Sequence, residues 1–135
     1  MATTGIVNGT AIAVYVGGTK VANLISNDFN LSMATRETTN KDTSGWETSL
    51  GGLKSWECTA EGMFAEDASY GYNDLYAVFI AGTAVTIMTS SQVSGDNKYT
   101  GQALLTKLDR THGLEDNTTF SCAFKGTGAP TKAVI

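Results

Sequence analysis

The chain is short of the residues from which most enzyme active sites and metal sites are built. Its 135 residues include one histidine, His112, and two cysteines, Cys58 and Cys122. A nucleophilic triad needs a histidine-like base held by an acid, and structural zinc needs grouped Cys and His ligands. These three residues could meet around a metal, but buried free thiols and a solvated turn histidine are the simpler interpretation. We therefore expect no enzyme, no metal and no cofactor.

Charge and long apolar runs are also scarce. Charged residues make up 16% of the chain, below the usual ~25%. The net charge of −4 argues against general binding to nucleic acids or anionic membranes. No apolar run approaches the ~20 residues of a membrane helix, and the first residues lack the basic start of a signal peptide. These absences favour synthesis in the cytoplasm without membrane contact, and a low-charge surface suits a protein covered by neighbours.

Glycine and threonine are abundant, which favours strands joined by turns. A hairpin over residues 10–25 turns at Gly17 and Gly18. One short helix begins near a capping Asn73 and ends at Gly82. Further strands are predicted at 27–37, 53–65, 83–89, 99–111 and 119–125. This pattern predicts a mainly β fold, a β-sandwich or partly closed barrel with one flanking α-helix, as a single domain over 1–135.

Three of these strands have one apolar and one polar face. Phe29, Leu31 and Met33 alternate with polar residues, and Trp56, Cys58, Phe120 and Phe124 mark the apolar faces of the other two. A continuous polar face means water on that side of the sheet. Glu57 and Glu61 share such a face, which we interpret as charged surface rather than an acid/base pair. The polar faces carry Asp28, Asn30, Ser32, Arg36, Ser55, Glu57, Thr59, Glu61, Thr119, Ser121 and Lys125.

Two segments show no periodicity. Residues 36–52 are almost entirely polar or glycine and are predicted to form a long loop, and 126–135 is predicted to be a C-terminal tail. An irregular segment as long as 36–52 is usually functional or disordered. It carries Trp46, which either packs back on its own domain or contacts a partner.

The order of these segments carries a family resemblance. It rests on the hairpin at 9–18, the loop from Thr38 to Glu47, and the segment from Leu50 to Trp56. Further matching segments are 61–64, the helix end at 81–83, 99–108 and 120–128. Together they cover nearly the whole chain. The chain resembles the major tail protein (tail tube) family of long-tailed bacteriophages.

The resemblance implies a β-sandwich subunit that forms hexameric rings, which stack into a hollow tube for DNA passage from capsid to host. It implies that the polar strand faces line the lumen and that DNA passes without specific binding. Partners would be further copies of the chain, the tape measure, the tail terminator and the baseplate or distal tail proteins. The protein would reside in the virion tail after assembly in the bacterial cytoplasm. The residues implied for contacts between subunits or rings are Arg36, Glu37, Lys41, Asp42, Trp46, Glu47 and Leu50.

Two alternatives remain open from the sequence. The chain could be the inner tube of a contractile injection system or of a gene transfer agent. It could also be a carbohydrate-binding β-sandwich that uses Trp46 as a stacking platform, and such a module would stay monomeric. If the tube interpretation holds, we expect residues 36–52 to be mobile in the free subunit and ordered on assembly.

Overall fold

A computed structural model describes residues 3–66, 70–114 and 116–135. Within these residues the chain forms seven strands, one α-helix and two short 3₁₀ turns. The helix α1 is Tyr72–Ala81, and the 3₁₀ turns are Gly9–Ala11 and Lys41–Thr43. The strands are β1 (Ala13–Val16), β2 (Thr19–Lys20), β3 (Leu24–Glu37), β4 (Ser49–Met63), β5 (Val85–Ser90), β6 (Asn97–Thr111) and β7 (Thr119–Val134).

The strands form one continuous antiparallel sheet in the order β2-β1-β5-β6-β7-β4-β3. The sheet curls until its two ends approach each other, and the Asn27 side-chain amide donates a hydrogen bond of 3.2 Å to the Ile12 carbonyl. Phe29 on β3 stacks on Tyr99 of β6 with ring centroids 5.7 Å apart. The prediction of a mainly β fold with one flanking helix is confirmed, and the single curled sheet has the form of a partly closed barrel.

The strand faces divide between core and solvent as the alternation predicts. Trp56, Cys58 and Ala60 of β4 are buried, as are Phe120 and Phe124 of β7. The residues between them point away from the core because successive side chains in a strand lie on opposite faces. The rest of the apolar core comprises Val14, Val16, Val21, Leu75, Ile87, Ala103, Leu105 and Cys122.

The helix ends where predicted but begins earlier. Gly82 terminates it in a left-handed conformation with φ of 66°. Its N-cap is Gly71 rather than the predicted Asn73, and the Gly71 amide donates to the Asp74 carboxylate at 3.1 Å. Leu75 fixes the helix on the core. Among the described residues, no helix combines the length and apolar character needed to cross a membrane.

Two predictions about irregular segments are wrong. The predicted loop at 36–52 is shorter, because β3 continues to Glu37 and β4 begins at Ser49. The predicted tail at 126–135 is instead the second half of β7, paired with the first half of β6 from Asn97 to Gln102. These strands form because their backbones pair with neighbouring strands. Their faces are exposed to water, so their sequences lack the alternation of apolar and polar residues that predicts a strand.

The adjacent Leu104 and Leu105, which obscure the alternation of β6, are explained by an irregular register. The pairing of β6 with β7 shifts between Leu105 and Lys107. Leu105 is buried while Leu104 is exposed. The hydroxyl of Thr106, at the shift, donates to the Ala123 carbonyl at 3.2 Å. The extra residue changes which positions after Leu105 face the solvent.

Candidate assembly surfaces

A polar surface extends across β3, β4, β7 and β6. The register places Asp28 beside Thr59 and Thr59 beside Ala123. It also places Glu61 beside Ser121, and Ser121 beside Asp109. Side chains paired directly across strands lie on the same face. The members of this polar face from the predicted set are Asp28, Asn30, Ser32, Ser55, Glu57, Thr59, Glu61, Thr119, Ser121 and Lys125. Lys107 and Asp109 also lie on this face, which the sequence does not predict because the register shift in β6 precedes them.

The polar face is acidic, and its lysines are paired with carboxylates. Lys125 lies 3.9 Å from Glu57, and Lys107 lies 3.2 Å from Asp109. All four side chains are at least half exposed, so each pair contributes little to stability. Asp28 and Glu61 belong to neither pair. With four carboxylates and two lysines, the described part of this face has a formal charge of −2 per subunit.

Within the part of the chain that the structure describes, the strands of the polar face have free edges on both sides. β3 is the last strand in the sheet order, so among the described strands it pairs with β4 on one side and with none on the other. On the opposite side, β5 pairs with β6 only from Tyr99 to Ala103, so residues 104–111 of β6 have no partner on that edge within the described residues. Such edges present unpaired backbone N–H and C=O groups and are templates for pairing with another chain.

A long hairpin made by β3 and β4 projects beyond the core. Arg36 pairs with Leu50 and Glu37 pairs with Ser49, beyond a register shift that follows Met33. Arg36 therefore lies on the hairpin, apart from the other residues predicted to line a lumen. The remaining loop, residues 38–48, is the tip of the hairpin.

The tip is held by short side chains bonded to nearby backbone groups. The Asn40 carboxamide accepts the Asp42 amide at 2.8 Å, and the Thr43 hydroxyl donates to the Asn40 carbonyl at 2.8 Å. Such local bonds order a turn without any apolar period, so sequence periodicity could not detect them. Trp46 is 77% exposed, which excludes packing on its own domain in this conformation. Lys41, Asp42 and Glu47 belong to the same tip, residues 38–48.

An apolar cleft opens where β4 and β7 separate. Their pairing stops at Glu57 and Lys125, and beyond that point a cavity of about 570 Å³ lies between the hairpin and residues 128–130. Trp56 forms one wall, and its indole N–H donates to the Gly128 carbonyl at 2.9 Å. Leu31 and Met33 also line the cleft and are 67% and 50% exposed. Their alternation with Phe29 predicted that they lie on a face covered by the core. They are uncovered because β7 separates from β4 in this region.

Two glycines make room for the Trp56 ring. A Cβ atom on Gly101 would lie 2.5 Å from the ring carbon Cζ2, and a Cβ on Gly126 would overlap Cε2 and Nε1. Because normal carbon contacts are ~3.5–4.0 Å, neither position has space for a side chain. The lack of a side chain at these two glycines, in β6 and β7, therefore allows the Trp56 ring to lie where it forms the wall of the cleft.

The architecture agrees with the sequence comparison. A model of the phage tail tube protein family matches residues 8–132. The chain belongs to this family. The resemblance inferred from the order of segments is thus confirmed. As a member of this family, the tail tube protein is a structural component of virion tails. A comparison with curated protein sequences gives no match.

Solved structures with a similar fold come from gene transfer agent particles and from the SPP1 tail tube. A chain of the native gene transfer agent virion has a TM-score of 0.80 at 19% identity, covering 96% of this chain and 100% of that one. A chain in the tail of an empty gene transfer agent particle, refined with C6 symmetry, has a TM-score of 0.79 at 18% identity, with the same coverage. The SPP1 tail tube has a TM-score of 0.76 at 12% identity, covering 96% of this chain and 80% of that one. At these identities the likeness shows a shared fold.

The two thiols of the tail tube protein are close in the fold. Cys58 of β4 pairs with Phe124, and the neighbouring Ala60 pairs with Cys122 of β7. Burial raises the pKa of each thiol to about 12, since a thiolate is poorly solvated in the core. The prediction of free, buried cysteines is confirmed. The described residues contain no cluster of three or more His, Cys, Asp or Glu side chains arranged to hold a metal.

One apolar surface was missed from the sequence. Tyr76, Phe79 and Ile80 of α1 are exposed on the side of the helix away from the core. Exposed apolar side chains at this helical spacing form a second stripe.

Proposed function

We propose that this single tail-tube domain assembles into hexameric rings, which stack into a hollow tube that conducts DNA from capsid to host. The observation that carries the proposal is the acidic four-stranded surface with two free edges. A monomer with such long open edges is prone to uncontrolled pairing. Closing a ring removes both edges at once.

Ring closure is proposed to join the β3 edge of one subunit to residues 104–111 of β6 in the next. Four strands from each of six copies give a barrel of roughly 24 strands, and at ~4.8 Å per strand its backbone diameter is roughly 37 Å before strand tilt. A barrel of this size encloses an aqueous channel rather than a packed core. The six-fold symmetry of the related gene transfer agent tail supports the number of copies.

In this arrangement the polar face lines the lumen. A formal charge of −2 per subunit gives about −12 per ring, which repels the phosphates of passing DNA. Lys107 and Lys125 are the two lysines on this face, and both are engaged with carboxylates. They are therefore poorly placed to form the phosphate contacts that would retain DNA.

The proposal extends to the partners and the place of assembly. The subunit would meet the tape measure inside the tube, the terminator at one end, and the baseplate or distal tail proteins at the other, after synthesis in the bacterial cytoplasm. It acts as a structural subunit rather than an enzyme and uses no cofactor. Family membership favours this role over that of a monomeric carbohydrate-binding module.

The purified protein tests the proposal directly. Size-exclusion chromatography at rising concentration should show a growing population of large assemblies. Negative-stain electron microscopy should show hollow tubes of uniform width with six-fold end views. A protein that remains monomeric at every concentration would overturn the proposal.

Trp46→Ala tests the role of the hairpin tip. Because Trp46 is exposed, we expect the monomer to keep its circular dichroism spectrum and melting temperature while tube formation weakens. Leu114→Ala is the matched control, since Leu114 is 97% exposed in a turn far along the chain from the tip. Equal tube yields from the two variants would reject a role for the tip.

A further inference from the structure

We infer that the hairpin tip of one subunit inserts Trp46 into the cleft between β4 and β7 of another copy. The inference rests on the proposed function and goes beyond it by naming the surface that receives the tip. It assigns a binding role to Leu31, Met33, Lys54 and Trp56, whose side chains line the cleft.

The cleft exposes an apolar surface that a bound segment would bury. Its cavity of about 570 Å³ is lined mainly by apolar atoms from the hairpin and from residues 128–130. Leu31 and Met33 remain half exposed or more, although they share the face of Phe29. Leaving this surface in water forgoes the stabilisation that its burial would give. The β4 edge from Ser49 to Trp56 and the β7 edge beyond Lys125 do not pair with each other, so the rim also offers backbone hydrogen-bonding groups to an extended segment.

The tip carries a fitting anchor. Trp46 is the most exposed aromatic side chain among the described residues, and Trp is enriched among the residues that dominate binding energy at interfaces. The tip cannot reach its own cleft in the observed conformation. Thr38 lies five positions along the extended strand from Met33, a distance of roughly 17 Å at ~3.3 Å per residue. A tip that occupies the cleft therefore comes from a second copy.

Charge complementarity favours the tip over other exposed segments. Lys54 is the charged residue among those lining the cleft, and Glu47 directly follows Trp46, with Asp42 nearby at the tip. The N-terminal segment from Thr3 to Ile12 also exposes apolar side chains at Ile6 and Val7. That segment contains no charged residue, so it has no carboxylate that could form an ion pair with Lys54. We assign Glu47 as the partner of Lys54.

The contact repeats in one direction. Tip and cleft are different surfaces of the same subunit, so a subunit can give its tip to one neighbour and receive the tip of another, which is a head-to-tail contact. A head-to-tail contact leaves a free tip at one end and a free cleft at the other. Such a contact can continue through successive subunits, as the growth of a tube requires.

Charge reversal tests the pairing. Glu47→Lys and Lys54→Glu should each raise the critical concentration for assembly, by up to about fivefold, as expected for an exposed ion pair. The double variant should recover most of the loss, because the opposite charges meet again. Glu37→Lys, on the same hairpin before the tip, is the matched control and should not be rescued by Lys54→Glu. Additive losses in the double variant would overturn the pairing.

Cross-linking separates this inference from the proposed function. Glu47→Cys and Lys54→Cys are prepared as separate proteins, each diluted into an excess of wild type, mixed, assembled and exposed to oxidised glutathione. The native thiols are buried, so a disulfide-linked dimer should form only when both variants are present and only after assembly. Glu37→Cys replaces Glu47→Cys in the control. Tubes without the cross-link would overturn the inference and leave the tube function standing, whereas wild-type protein that forms no tubes would overturn both.

Discussion

The tight fit of Trp56 against Gly101 gives a prediction with a calculable size. In Gly101→Ala the new methyl carbon would lie 2.5 Å from Trp56 Cζ2, at least ~1 Å inside normal contact distance. The ring cannot retreat freely, since Gly126 leaves no space for a side chain on the neighbouring strand. A shift of ~1 Å would lengthen the 2.9 Å hydrogen bond from Trp56 to Gly128 beyond hydrogen-bonding distance.

The expected loss follows from three contributions. Overpacking a core costs typically ~1–3 kcal/mol, and losing a hydrogen bond costs about 1 kcal/mol. Replacing glycine by alanine recovers ~0.4–1 kcal/mol by restricting the unfolded chain. The costs of the clash and of the lost hydrogen bond exceed this gain, so we expect the free energy of unfolding to fall by about 2–3 kcal/mol. For a domain of this size the melting temperature should fall by roughly 8–12 °C.

Urea and thermal denaturation measure the loss, followed by circular dichroism and by fluorescence in a Trp46→Phe background, where Trp56 is the remaining tryptophan. Gly9→Ala is the control, because a Cβ at Gly9 meets nothing within 4 Å. Combining Gly101→Ala with Trp56→Phe should show a coupling energy of at least ~1 kcal/mol, since phenylalanine lacks the clashing atom. A Gly101→Ala variant within ~0.5 kcal/mol of wild type, with unchanged fluorescence, would show that Trp56 does not restrict the space at Gly101.

Three further predictions follow from the thiols, the N-terminus and the hairpin tip. Because burial raises the pKa of Cys58 and Cys122 to about 12, iodoacetamide at pH 8.5 should label neither in the native protein and both in urea; rapid native labelling would contradict their burial. Hydrogen bonds from Thr3, and then from a neighbouring serine, lower the pKa of Asp96 below its usual value. The anchoring of Thr3 should therefore be complete at neutral pH and be lost only as the pH falls through that lowered value. Asp96→Asn should release it at neutral pH, detected as faster N-terminal proteolysis. Hydrogen exchange at 38–48 should slow on tube assembly, and equal protection in monomer and tube would count against ordering of the tip.

Features that depend on local periodicity could be predicted from the amino-acid sequence. Alternation located the apolar faces carrying Trp56 and Phe124, because a buried sheet face imposes a period of two. Gly82 marked the helix end, since glycine adopts the left-handed conformation without strain. The scarcity of His and Cys is the basis for the prediction that the chain has no catalytic or metal site. The order of these segments was enough to identify the family.

The covering of the strand faces and the positions of the open edges depend on tertiary contacts and could not be predicted from the sequence. Leu31 continues the alternation of Phe29, yet it is exposed because β7 separates from β4 beyond Lys125. The ion pairs of the polar face depend on strand register, which a shift of one residue in β6 alters without any signal in the sequence. Residues 126–135 form a strand because β6 offers a partner edge. Side-chain pattern records which face is buried, whereas pairing, register and open edges are set by contacts between residues distant in the chain.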